Sequence, residues 1–176
     1  HTHLHADHVG WNITYEDGVA RPTFPKAKYL VPRADREHFI QANILSLPQN
    51  EHIRDHVAPL EQLGVMELVE GGQIITSEIS TLHTPGHTPG HQCILIDSQG
   101  QRGVVVGDVI HMSVQIEHSD WCAGVDLDKP TGQKSREDLL DQSEREGLLI
   151  VAGHFKVNEH FGRVARLEGR RYWQVI

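Results

Sequence analysis

Apolar positions change their rhythm near residue 65. Before it, Phe39, Ile40 and Ile44 recur at helical spacing and predict a helix over 33–45. Pro48 breaks that run, and 51–63 reads as a second helix closed by Gly64 at a C-terminal cap position. A short strand is expected at 27–31, ended by Pro32, while 9–26 is rich in Gly, Pro and polar groups and reads as loop. After residue 65, short apolar runs alternate with turn residues and predict strands at 65–69, 73–76, 78–82, 92–96 and 102–106. Segment 131–146 reads as a polar, solvent-facing helix and 148–152 as a buried strand. A last hairpin is expected between 163–167 and 171–175, across Glu168-Gly169-Arg170. Strands alternating with helices predict an α/β layered architecture.

Length adds a bound: 176 residues suit a single domain over 1–176. The formal charge is −8, from 16 basic and 24 acidic residues without a basic block, which argues against a nucleic-acid or anionic-membrane surface. No apolar run approaches the roughly 20 residues of a membrane-spanning helix. Two cysteines, Cys93 and Cys122, make neither a disulfide framework nor a C-x-x-C pair. Histidine changes the picture, at 14 positions.

Several of them gather in His3-Leu4-His5-Ala6-Asp7-His8. If this run leaves a strand, His3 and His5 point to one side, and Asp7 and His8 present their side chains from the turn that follows. Neutral imidazole and carboxylate suit a borderline ion such as zinc. A tag remnant would not interleave Leu4, Ala6 and Asp7. Further on, Thr84-Pro85-Gly86-His87 places a histidine after a Pro-Gly turn. Gly107-Asp108 and Gly153-His154 each follow an apolar run that reads as a strand.

This set resembles the metallo-β-lactamase-fold hydrolases over essentially the whole chain. The family pattern H-x-H-x-D-H falls on His3, His5, Asp7 and His8, its next histidine on His87, its bridging aspartate on Asp108 and its last histidine on His154. The resemblance implies an α/β, metallo-β-lactamase-like αββα sandwich. It implies two divalent ions per chain, zinc by preference with Mn, Fe or Co accepted. His3, His5 and His87 would hold one ion, Asp7, His8 and His154 the other, with Asp108 between them. The segment 83–91, with Val9-Gly10-Trp11-Asn12, Gly107-Asp108-Val109-Ile110 and Asp126-Leu127-Asp128, is similar to the lactonase and methyl parathion hydrolase branch. Acyl-homoserine-lactone lactonases carry a tyrosine three residues after the bridging aspartate; here that place is His111.

The activity so implied is hydrolysis of a small lactone, carboxyl ester or phosphotriester by a metal-bound hydroxide. Asp7 would orient the water and move its proton, and His111 would donate to the oxyanion or leaving group. Trp11, Phe24, Phe39 and Trp121 are the candidate apolar walls of a substrate pocket. A thioesterase, a hydrolytic dehalogenase or a non-catalytic metal-binding protein of the same fold are the alternatives. His52 and His56, at i and i+4 among charged neighbours, read as a solvated helix face. His38, His91, His118 and His160 have no assignable partner. A small-molecule substrate is the expected partner, with neither nucleic acid nor membrane, and a homodimer is compatible with the sequence.

The chain opens inside the first metal motif, so the resemblance further implies that the N-terminal strands of the first sheet are lacking. The compartment, cytoplasmic or periplasmic, is not readable from such a start. Expressed alone, the 176-residue chain is expected to be poorly soluble or inactive. A cooperative melt with two bound metals and full hydrolytic activity would overturn that expectation.

Overall fold

The computed structural model describes all residues, His1–Ile176, as two compact units. The first comprises His1 and His3–Glu70, the second Thr2 and Gly71–Ile176. No helix is long and apolar enough to cross a membrane.

The first unit opens with a single helical turn, α1 (Ala6–Val9), and a hairpin of β1 (Ile13–Glu16) and β2 (Val19–Pro22). The hairpin lies where a loop was expected. Asp17 and Gly18 take φ of 50° and 78°, the doubly left-handed turn whose twist suits two antiparallel strands. β3 (Tyr29–Pro32) pairs in parallel with β4 (Met66–Val69), and helical segments connect them.

The helix expected over 33–45 is two helices, α2 (Arg33–Phe39) and α3 (Ala42–Leu45), because Gln41 adopts an extended ψ of 132°. Five residues of straight helix would set Phe39 and Ile44 about 140° apart, on different faces. The break lets both reach the core formed by Leu4, Val9, Val31, Ile53 and Val57. The second expected helix is also interrupted. Ile53–Val57 forms a π turn before α4 (Ala58–Gln62). Pro59 has no N–H to return to the Asp55 carbonyl, and that oxygen accepts from the Tyr15 hydroxyl at 3.0 Å instead. Gly64, with φ 70°, ends α4 where the cap was expected.

The second unit is a six-stranded sheet in the order β10-β9-β8-β7-β6-β5. Its strands are β5 (Ile79–His83), β6 (Gln92–Ser98), β7 (Gln101–Val105), β8 (Leu149–Val151), β9 (Phe161–Leu167) and β10 (Arg170–Val175). All neighbours are antiparallel except β7 and β8, whose parallel pairing spans the crossover through α5 (Lys129–Glu146). The strand expected at 73–76 is reduced to one bridge, Ile74 to Ser80, since the N–H groups of Ile75 and Thr76 both turn onto the Ile79 carbonyl.

α5 is not the solvent-facing helix that its polarity suggested. Gly132, Ser135, Arg136, Leu139, Leu140 and Ser143 form a buried stripe. Small residues allow the close approach: a Cβ on Gly86, whose φ is 130°, would lie 2.1 Å from the Gly132 nitrogen. Asp128 caps the helix, accepting from the Thr131 N–H at 3.1 Å, and Gly147 ends it in the left-handed region. Leu139 and Leu140 pack with Val104, Val106, Ile150 and Phe155, which bury the apolar side of the sheet.

Charge ties the last hairpin to α5. Arg166 and Arg171 both donate to the Glu144 carboxylate, at 2.7 and 3.0 Å, and Arg171 also pairs with Asp141. The two arginine hydrogen bonds hold the Glu144 pKa at about 2, below the usual 4.5. Folding lowers this pKa, so the stabilisation is complete above about pH 4.5 and is lost as pH falls toward 2. Glu144→Gln is expected to lower Tm at neutral pH and to flatten the decline of Tm across that acidic window. Thermal melts of both proteins from pH 7 to pH 2 check this, and parallel curves would refute it.

Candidate metal centre

The motif at the start of the chain is built without a strand. His5 is extended, with φ −71° and ψ 158°, and α1 begins at the next residue. Asp7 and His8 therefore project from a helical turn rather than from the expected open turn. Leu4 is clamped through both of its peptides: its N–H donates to the buried Asp35 carboxylate at 3.1 Å, and its carbonyl accepts from His52 Nε2 at 2.9 Å. Holding those two peptides fixes how His3 and His5 leave the backbone. His3 Nε2 lies 3.1 Å from His5 Nδ1, and the His3 and His8 rings are 4.1 Å apart. Asp7 Oδ2 is 3.5 Å from His8 Nε2. His52 is thus a support for the motif and not the solvated histidine expected.

Within the second unit, His87 sits in a loop closed by a hydrogen bond from the Thr84 N–H to the His91 carbonyl at 2.9 Å. Asp108 follows β7 through Gly107, whose φ is 55°. His91 is buried and joins the two segments. Its Nδ1 lies 3.0 Å from the Thr84 carbonyl, and its Nε2 accepts from the Asp108 N–H at 2.9 Å. A carbonyl only accepts and an amide only donates, so the proton is on Nδ1. His154 comes from the turn after β8, where His160 Nε2 donates to the Phe155 carbonyl at 2.8 Å.

Three imidazoles surround one carboxylate oxygen. Asp108 Oδ2 is 3.1 Å from His154 Nε2, 3.3 Å from His87 Nε2 and 3.3 Å from His111 Nε2. The His111 N–H donates to Gln115 Oε1 at 2.7 Å, yet neither enclosed ring nitrogen has a hydrogen bond. Enclosed nitrogens around a carboxylate fit a divalent cation.

Asp126 was not foreseen as a site residue. Its Oδ1 accepts from His87 Nδ1 at 2.9 Å, and its Oδ2 accepts from the Ala123 N–H at 2.9 Å. Burial alone would raise its pKa, but the hydrogen bonds from His87 Nδ1 and the Ala123 N–H hold it below the usual carboxylate value. The ligand-type atoms of His87, His111 and Asp126 lie within 4.8 Å of one another. Only the resemblance to the Asp126-Leu127-Asp128 stretch pointed this way; no local spacing did.

The aromatic candidates differ in setting. Phe39 is buried in the first unit's core, edge-on to His5 with ring centroids 5.8 Å apart. Trp11, Phe24 and Trp121 are exposed, and Trp121 stacks on His118 at 4.7 Å. His38 packs edge-on to Phe39. Cys93 is no nucleophile: burial pushes its thiol up to about 12, against a smaller opposing effect of the Thr84 hydrogen bond.

Residues 1–154 match the family described as the metallo-beta-lactamase superfamily. The chain belongs to that superfamily. Among curated relatives, an N-acyl homoserine lactonase of a Bacillus species is 26% identical over 154 residues, covering 87% of this chain and 53% of its own length. The uncharacterized protein YobT of Bacillus subtilis is 33% identical over 114 residues, which is 63% of this chain and 45% of YobT. The chain therefore spans about half the length of the curated relatives it matches. Among solved structures, the superfamily hydrolase AbOPH aligns with TM-score 0.85 and 26% identity, over 99% of this chain and 62% of that one. AidC, a dizinc quorum-quenching lactonase in complex with a product, aligns with TM-score 0.79 and 22% identity over the same shares. The fold is the metallo-beta-lactamase-like α/β fold, over about 60% of the length of these solved chains.

The delivery of Asp108 depends on Gly107. A Cβ there would lie 2.7 Å from His91 Nε2 and 3.0 Å from the Thr2 Cβ, on a left-handed backbone. Gly107→Ala is expected to cost at least about 1–2 kcal/mol from the backbone alone. Urea unfolding should show a lower midpoint at unchanged slope, and an unchanged midpoint would refute the constraint.

Proposed function

We propose that this protein is a dinuclear metallohydrolase acting on a small ester-like substrate, with lactones as the first class to test. By the family resemblance, His3, His5 and His87 would hold one divalent ion and Asp7, His8 and His154 the other, with Asp108 as a ligand shared by the two sets. The observation that carries the reading is the Asp108 carboxylate oxygen with three imidazole nitrogens within 3.3 Å. Zinc is the expected metal, since histidine and carboxylate donors match its preferences, and Mn, Fe and Co suit the same set. When bound, paired ions of this kind activate water near neutral pH and polarise the electrophile.

The remaining steps belong to the protein's own side chains. Asp7, exposed at the start of α1, accepts the proton of the attacking water. His111 donates to the oxyanion or leaving group, since Gln115 holds its backbone and no hydrogen bond commits its ring. Trp11, Phe24 and Trp121 offer apolar contact to the substrate, while Phe39 supports His5. The likeness to N-acyl homoserine lactonases supports a lactone. The place of their tyrosine taken by His111 keeps carboxyl esters and phosphotriesters in the trial panel.

Elemental analysis after reconstitution with zinc or manganese is expected to find about two metals per chain, and at most one would refute the dinuclear reading. Asp108→Ala should lose a metal and nearly all turnover. His111→Ala should keep both metals and lose roughly 10²-fold in rate, the scale of a positioned proton donor. Loss of metal in that variant would make His111 a ligand, and an unchanged rate would leave it without a role. A chromogenic panel of lactone, ester, thioester and phosphotriester substrates reads the substrate class, and inactivity of the fully metallated protein on all of them would overturn the enzyme reading.

A further inference from the structure

We infer that Asp126 and Arg136 are positioning residues that lock the His87 ring into the tautomer able to bind a metal through Nε2. Neither belongs to the ligand set. Asp126 is buried and both its oxygens are engaged, Oδ1 by His87 Nδ1 at 2.9 Å and Oδ2 by the Ala123 N–H at 2.9 Å. Arg136 is the largest fully buried side chain of the protein. Its guanidinium stands 3.6 Å from Asp126 Oδ2. The same group donates to the carbonyls of Val109 at 2.9 Å, Ser119 at 2.6 Å and Trp121 at 3.0 Å.

The chemistry follows from what each group can do. A carboxylate only accepts, so His87 must carry its proton on Nδ1, which leaves the Nε2 lone pair directed at the Asp108 side. Arg136 orients that carboxylate and also grips the carbonyl of Val109, the residue after Asp108. One rigid fork on α5 therefore sets His87, through Asp126, and Asp108, through Val109, at a common spacing. A lysine has a single donor point and cannot span three carbonyls and a carboxylate.

Asp126→Asn tests the idea without changing the shape of the side chain. The Ala123 N–H donates to Oδ2 and the Arg136 guanidinium faces the same atom at 3.6 Å, so the amide oxygen is expected to turn to them. The amide NH₂ then faces His87 Nδ1, which must accept, and the ring proton moves to Nε2. Long-range ¹⁵N–¹H correlation spectra of the metal-free protein should show His87 protonated on Nδ1 in the wild type and on Nε2 in D126N. Zinc titration of D126N should show affinity weakened by about 10- to 100-fold. Arg136→Lys, with its fold verified by circular dichroism, should weaken zinc as well and should not restore the wild-type value.

Wild-type tautomer and zinc affinity in D126N would overturn the inference. Weakened zinc with an unchanged tautomer would also overturn it, because Asp126 would then act other than by holding the ring. The zinc arm rests on the proposed ligand role of His87, whereas the tautomer arm does not. A tautomer that switches in D126N while the wild type binds no zinc would support the positioning pair and overturn the metal reading.

Discussion

The hydrogen bond from the Asp108 N–H to His91 Nε2 is the interaction on which the second unit's histidine cluster depends. His91 closes the loop that carries His87, through Thr84, and catches the peptide that carries Asp108. One ring thereby relates two segments that come from different strands. Gly107 makes the approach possible, since any side chain there would occupy the space of the His91 ring. The glycine is required by the closeness of backbone to imidazole as much as by its left-handed φ.

Around that contact the unit tolerates an unusual amount of buried polarity. Asp126, Arg136, His87 and His91 are all enclosed, beside a core of Val104, Ile150, Leu139 and Leu140. Buried charge is costly unless its hydrogen-bonding capacity is met, and here the guanidinium meets three carbonyls and a carboxylate. The return is precision: ring nitrogens are aimed by groups with a single possible role, donor or acceptor, and not by flexible contacts. The first unit applies the same logic at Leu4, whose two peptides are clamped by Asp35 and His52. In both units, what orients the candidate ligands is backbone geometry held by buried or half-buried polar side chains.

The proposed substrate contacts stand apart from this scaffold. The exposed aromatic residues Trp11, Phe24 and Trp121 are on irregular segments, where sequence change is cheap in stability. Related folds with a common ligand pattern can therefore act on different electrophiles, and function has to be argued from the site.

The sequence by itself named the candidate ligand residues and determined most of the strands. His3, His5, Asp7 and His8 lie within one short run, and Gly-Asp and Gly-His pairs end apolar strands, so local pattern carries them. Strands β6 and β7 and the last hairpin were legible because short runs of strand-forming residues are bounded by turn residues such as Ser98-Gln99-Gly100 and Glu168-Gly169-Arg170. The Asp17-Gly18 hairpin was equally local, though Gly and polar residues around it masked the turn signal. What tertiary structure alone decided are the supports. His91 meets Asp108 from 17 residues away, Asp126 meets His87 from 39, and Asp35 meets Leu4 from 31. The buried stripe of α5 was hidden for a related reason, since glycine, serine and arginine give no hydrophobic signature. Periodicity reports which face of one element meets apolar surroundings. It contains nothing about which distant polar group will complete a hydrogen bond, because that depends on where two separately formed segments come to rest.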